Sequence, residues 1–147
     1  MKTFEIYEKY PSTKKSLSDV DRTVTSIKNH LQLDESLFYV VHLGIYEIFI
    51  NALYHGNKLD ASKFVEFHSY IEGNFLTIEI TDQGEGFDFS AIPNPLEEEN
   101  ILKDSGRGVF ITSHYADSLH FEKTRRGFCA TLTFDLEKIL ATANNSE

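Results

Sequence analysis

Three polar constellations in this chain have the residue types and spacing to do chemistry. Glu47, Asn51 and His55 stand at i, i+4 and i+8, which on a helix places them on one face. At about 100° per residue, that row flanks an apolar stripe of Val41, Ile45, Ile48 and Ala52, so it lies at the edge of a buried face. A carboxylate beside an amide can act there as a proton acceptor next to an oxygen ligand for a hard cation. The same pair also fits a satisfied internal network or a solvated helix edge, and His55 by itself reads as structural. The second constellation is Asp82-Gln83-Gly84-Glu85-Gly86-Phe87-Asp88, directly after a β-rich run. Asp82 can accept hydrogen bonds from a ligand amine, and the glycines let the backbone turn sharply and approach a ligand closely. An ordinary Gly-rich turn also explains it. A calcium loop of the EF-hand type does not, because Gly84 stands where Asp or Asn is required and the terminal Glu is missing. The third is Gly106-Arg107-Gly108 at an expected helix start. Free N–H groups and the positive end of the helix dipole suit a phosphate there, and Arg107 adds a fork of donors. A helix capped after a loop is the plainer reading of that motif alone. Neither a Walker A sequence nor GxGxxG occurs, which sets aside P-loop and Rossmann chemistry.

The elements that must position these groups follow from period and punctuation. Phe4 to Tyr10 reads as a strand ended by Pro11 and Ser12. Ser16 or Ser18 is expected to cap a helix running to about Leu31, with Val20, Val24, Ile27 and Leu31 at three- and four-residue steps. Asp34 offers an N-cap for a second helix, and Gly56-Asn57 stops it. Val65 to Ile71 and Phe75 to Thr81, split by Glu72-Gly73-Asn74, read as an antiparallel hairpin. Residues 89–105 hold Pro93, Pro95 and the run Glu97-Glu98-Glu99, the composition of an exposed loop. A helix is expected from Val109 to about Tyr115. A second hairpin follows, Leu119 to Lys123 and Cys129 to Phe134, around Arg125-Arg126-Gly127. A short helix and a polar tail over 141–147 close the chain. The order β-α-α-β-β-loop-α-β-β predicts an α/β sandwich: one mostly antiparallel mixed sheet with helices on one face, a single domain over 1–140.

Composition narrows the function classes. The chain has 147 residues, a net charge of -9, 41% hydrophobic and 13% aromatic residues, and one cysteine, Cys129. That length predicts one domain, and the apolar content excludes global disorder. One cysteine allows neither an internal disulfide framework nor a Cys-based zinc site. The acidic balance argues against a general nucleic-acid binder and against docking on an anionic membrane. Leu37 to His55 is apolar enough to suggest a membrane span, but Glu47 and Asn51 sit in its middle. A charge near a bilayer centre costs about 2.5–3.5 kcal/mol or more. The stretch is therefore expected to be a buried helix of a cytoplasmic protein. The opening MKTFEIYEKYPS has no apolar run of the secretory type.

Taken in order, Glu47-x3-Asn51-Ala52-x2-His55-Gly56-Asn57, then Asp82-x-Gly84-x-Gly86-Phe87-Asp88, then Gly106-Arg107-Gly108 resemble the N, G1 and G2 boxes of the GHKL ATPase superfamily. Its members include gyrase B, MutL and histidine-kinase catalytic domains, and the resemblance covers nearly the whole chain. Within that superfamily the chain is most similar to the bacterial anti-sigma factor serine kinases, the RsbW and SpoIIAB group. These phosphorylate a serine on a STAS-domain anti-anti-sigma protein. Free of that partner they sequester a sigma factor, commonly as homodimers. The resemblance implies the Bergerat-type ATP-binding fold, ATP with Mg²⁺, a STAS-domain partner, a sigma factor and a possible homodimer. It implies that Asn51 ligates Mg²⁺ through its amide oxygen and that Glu47 is the general base. His55 belongs to the same nucleotide-binding box. Asp82 would bind the adenine amino group, and Gly84 and Gly86 would let the loop pass over the base. Gly106, Arg107 and Gly108 would meet the phosphates, with residues 89–105 as the ATP lid. Thr131 matches the late threonine that completes the adenine pocket.

Two other functions compete with the kinase. One is a non-catalytic, ATP-responsive switch of the same fold that clasps a regulator. The other is a separated histidine-kinase catalytic domain, disfavoured because residues 1–36 hold one short helix with His30 near its end rather than a phospho-acceptor dimerisation helix.

Overall fold

The computed structural model describes residues 2–86 and 116–145. Gly106, Arg107 and Gly108, the expected lid over 89–105 and the expected helix from Val109 lie outside the described residues. The described elements are β1 (Lys2–Pro11), α1 (Lys15–Leu31), α2 (Glu35–Ile50) with a π-helical turn (Asn51–Gly56), β2 (Phe64–Glu72), β3 (Phe75–Asp82), β4 (Ser118–Thr124), β5 (Gly127–Asp135) and α3 (Leu136–Asn145).

The five strands form one sheet in the order β1-β2-β3-β5-β4, and all four pairings are antiparallel. Alternation decides which face is buried. Val65, Phe67 and Ile71 of β2, Leu76, Ile78 and Ile80 of β3, and Phe128, Ala130, Leu132 and Phe134 of β5 all point to the helices. Burying each large side chain is worth roughly 1.5–3 kcal/mol, so a one-residue slip of register, which would turn every one of them outward, is strongly disfavoured. The other face of the sheet is open and polar. The helices cover the buried face with Val20, Val24 and Ile27 of α1 and Phe38, Val41, Ile45, Ile48 and Phe49 of α2. The architecture is the α/β sandwich read from the element order. By length and composition alone, Glu35–Gly56 could cross a membrane, at 22 residues and mean hydropathy 1.5. Here its apolar stripe is the centre of the core.

Three local details differ from the sequence reading. Ser16 does not cap α1: it lies inside the helix, buried, and its hydroxyl donates to Pro11 O at 2.6 Å, tying the helix to the end of β1. Ser18 lies deeper in the same helix, and the residue that precedes it, Lys14, makes no side-chain cap. The final helix continues to Asn145, so most of the segment read as a polar tail is helical. Most important for the site, α2 does not run as one α-helix to Gly56. Its last turn widens, with Asn57 N–H donating to Ala52 O, five residues back, at 2.8 Å. Such π-turns recur at functional sites. Asp34 caps α2 as expected, accepting from Leu37 N–H at 2.8 Å.

Asn57, read from sequence only as a helix stop, is a buried clip between three segments. Its amide nitrogen donates to Ser12 Oγ at 2.8 Å and to Phe64 O at 3.0 Å, and its Oδ1 accepts from Gln83 N–H at 2.7 Å. Removing it orphans buried groups, each costing about 1–3 kcal/mol. Asn57→Ala is therefore expected to lose roughly 3 kcal/mol of stability, read as a lower urea midpoint with an unchanged slope. A midpoint within error of the parent would show that the clip is dispensable.

Candidate functional site

The site begins at Asp82, the last residue of β3. Its side chain is almost wholly buried, and its Oδ1 accepts from Gly84 N–H at 2.7 Å. Burial pushes its pKa up, opposed by the Gly84 N–H and by the positive charges of Lys123 and Lys63. A carboxylate held in this way has one oxygen committed to its own loop, and the side chain borders a cleft. Glycines make the arrangement possible. A Cβ on Gly56 would run into the Asp82 carboxylate, and one on Gly84 would overlap the Gly56 backbone. The backbone cannot yield as a flexible side chain could. Gly84→Ala is thus expected to displace the loop that holds Asp82 and to weaken nucleotide binding by about tenfold, roughly the loss of one ordinary hydrogen bond. Titration calorimetry checks this, and an unchanged affinity would contradict it.

The cleft has a volume of about 110 Å³ and lies between the π-turn and the sheet. Asn51, Ala52, His55 and Gly56 line it from the π-turn; Ile80, Asp82 and Gly86 line it from β3 and the residues after it. Phe121 lines it from β4, and Phe128 and Ala130 from β5. The two phenylalanine rings stack with centroids 5.6 Å apart and an 8° interplanar angle. A flat apolar slot with one buried carboxylate suits a planar heteroaromatic ring that carries an N–H donor.

The structure brings Asn51, His55, Asp82 and Gly86 together around this slot. Gly84 supports it from behind through Asp82. Glu47 stands one turn before Asn51 on α2, half-buried and outside the cleft lining. Burial pushes its carboxyl pKa up. Thr131 is not part of the pocket. It lies on the open face of β5, where its hydroxyl sits 3.8 Å from Cys129 Sγ, while Ala130 takes the inward position. The reason is parity: Phe128, Ala130, Leu132 and Phe134 occupy the buried face, so the residue between two of them must face out.

Among the described residues no group of three or more His, Cys, Asp or Glu side chains could hold a metal. Magnesium does not need one, since it keeps waters and takes few protein oxygens when a phosphate ligand supplies the rest. The Asn51 amide oxygen is a hard donor bordering the cleft, so the residues present fit an ion that arrives with its nucleotide.

Residues 10–134 match the family model of the histidine kinase-like ATPase domain. The chain belongs to this family. ATP binding is the coarse function that membership carries, and the GHKL superfamily is the wider group. The fold agrees: the domain is similar to the histidine kinase domain from Erythrobacter litoralis EL346 blue-light activated histidine kinase, with a TM-score of 0.55 and 16% identity. That likeness covers 89% of this chain and 64% of the other, and at this identity it speaks for the fold alone. No curated protein matches the chain. The aromatic slot beside Asp82 lies within the matched residues. The sequence reading missed Phe121, Phe128 and Ala130 as walls of that slot, although the alternation along β5 would have pointed to the last two.

Proposed function

We propose that this histidine kinase-like ATPase domain is a protein serine kinase that doubles as an anti-sigma factor. It transfers the γ-phosphate of Mg-ATP to a serine of a STAS-domain anti-anti-sigma protein, and in that partner's absence it holds a sigma factor in the cytoplasm, as a homodimer. The observation that carries the reading is the slot tipped by Asp82, bordered by the same helix that bears Asn51 and Glu47. Asp82 and the phenylalanines fix the base. Magnesium, with the Asn51 amide oxygen as its protein ligand, supplies neutralisation of phosphate charge, which matters in a chain of net charge -9. Glu47 takes the proton of the serine hydroxyl as its oxygen bonds to the γ-phosphorus and the bond to the β–γ bridging oxygen breaks, leaving ADP. Positioning carries most of such a reaction. A carboxyl whose pKa is raised by burial is the better proton acceptor.

One observation favours a second reading, a switch that binds ATP without transferring it: Glu47 stands outside the cleft lining. Incubation with γ-labelled ATP, alone and with candidate STAS proteins, separates the two. Label appearing on a serine of one of them supports the kinase. Tight nucleotide binding with no transfer to any of them would leave the switch.

A further inference from the structure

The open face of the sheet carries a second cleft, of about 400 Å³, on the side away from the nucleotide slot. Lys9 of β1, Glu66 of β2, Thr81 of β3 and Gln83 line it, together with Arg125 and Arg126 of the β4–β5 turn. Lys9 pairs across to Glu66, and Glu66 across to Thr81, so the three side chains share one face of adjacent strands. Three cations and one carboxylate therefore line the same cleft, within a chain whose net charge is -9. Arg126 reaches Glu66 at 3.3 Å with its own side chain 73% exposed, and Lys9 Nζ lies 4.7 Å from the centre of the partly exposed Phe64 ring.

The walls are fixed by the fold. Gly127 has φ +143°, and a Cβ there would overlap the Asp82 carbonyl. The turn that carries the arginines is thereby seated against the end of β3. Gln83 Oε1 accepts from Phe64 N–H at 2.6 Å, while its own N–H is held by Asn57. A backbone held in this way lowers the ordering cost of binding.

We propose that this cleft docks a short acidic segment of a partner protein. Guanidinium forks match carboxylates bidentately, the Phe64 ring offers apolar contact beside them, and the cleft opens along a sheet face that an extended chain can follow. The charge of the whole chain selects the length of the occupant. A long polyanion would also feel the net charge of -9 of the whole chain, whereas a few acidic residues meet only the cleft. The site stands apart from the kinase reading, since it lies across the sheet from the nucleotide and asks nothing of Glu47.

The test is fluorescence polarisation of the full chain with fluorescein-labelled octaglutamate, octaglutamine and octadeoxythymidylate, at low and high salt. Octaglutamate is expected to bind, more weakly at high salt, with octaglutamine and the oligonucleotide well behind. Arg125→Glu with Arg126→Glu should weaken octaglutamate by about tenfold or more while ATP affinity stays within error. If that double variant loses ATP binding as well, Lys9→Gln gives the reading, with a loss of about threefold. No octaglutamate binding at low salt, binding indifferent to these substitutions, or the oligonucleotide binding as tightly would each overturn the proposal.

Discussion

Asp82→Asn is expected to lower the affinity for ATP by at least about a hundredfold, on the order of 3 kcal/mol, while making the nucleotide-free protein more stable at neutral pH. The two effects have one cause. Gly84 N–H donates to Oδ1 at 2.7 Å, so in the amide the oxygen must take that place and the NH₂ group must face the slot. An acceptor becomes a donor, opposed to the amino group of adenine. A site built to hydrogen-bond one group rejects the mismatched one strongly. The same substitution should admit inosine triphosphate, whose 6-oxo group accepts where adenine donates, so the preference inverts rather than simply vanishing. On the stability side, burial outweighs the favourable partners and raises the Asp82 pKa. The folded state then holds the proton more tightly than the unfolded one. Stability therefore falls as pH rises from the ordinary aspartate value through the raised one, and stays lower above it. Removing the charge removes that penalty. Thermal melts without nucleotide at neutral pH should place the variant above the parent. A variant that melts lower and still binds ATP would contradict both halves.

Glu47→Gln is expected to reduce phosphate transfer by about 10²–10⁴-fold, the usual worth of a positioned general base, with ATP affinity nearly unchanged because Glu47 lies outside the slot. Its pH dependence gives a signature that a structural role would not. Burial raises the Glu47 pKa, and only the ionised form accepts a proton. Transfer by the parent should climb as pH rises through that raised value, and the residual transfer of the glutamine variant should lack the step. Single-turnover transfer to a serine-bearing partner across a pH series measures it. Normal transfer in Glu47→Gln would remove the base assignment while leaving the phosphate transfer itself in place.

The strands and both long helices were legible because their signals are local. Alternation in β2 and β3 and the three- and four-residue steps of Val20, Val24 and Ile27 each report a buried face directly. The parts that misled depend on distant contacts or on backbone geometry without a side-chain period. Ser16 looks like a cap, yet its hydroxyl is taken by Pro11 O across the strand–helix junction. The π-turn leaves Asn51 and His55 on one side of the slot but adds a residue to the turn, which the one-face spacing of an ideal helix could not reveal. Asn57 gathers Ser12, Phe64 and Gln83 from three separate segments, so its role exists only once the sheet has formed. Motif resemblance points to Thr131 as a pocket residue, whereas strand parity turns its side chain to the open face of β5. Within the site, Asp82 and Asn51 were legible because a lone carboxylate at a strand end and an amide on an apolar helix are chemically conspicuous. The phenylalanine walls were not, because aromatic residues in β-runs are ordinary core.

Side-by-side titration calorimetry of the parent protein with ATP and with inosine triphosphate, both in magnesium, tests the central claim that Asp82 in the aromatic slot reads an amino group. The expected result is saturable one-to-one binding of ATP and binding of inosine triphosphate weaker by about a hundredfold. Equal affinities, or no binding of either nucleotide, would contradict it.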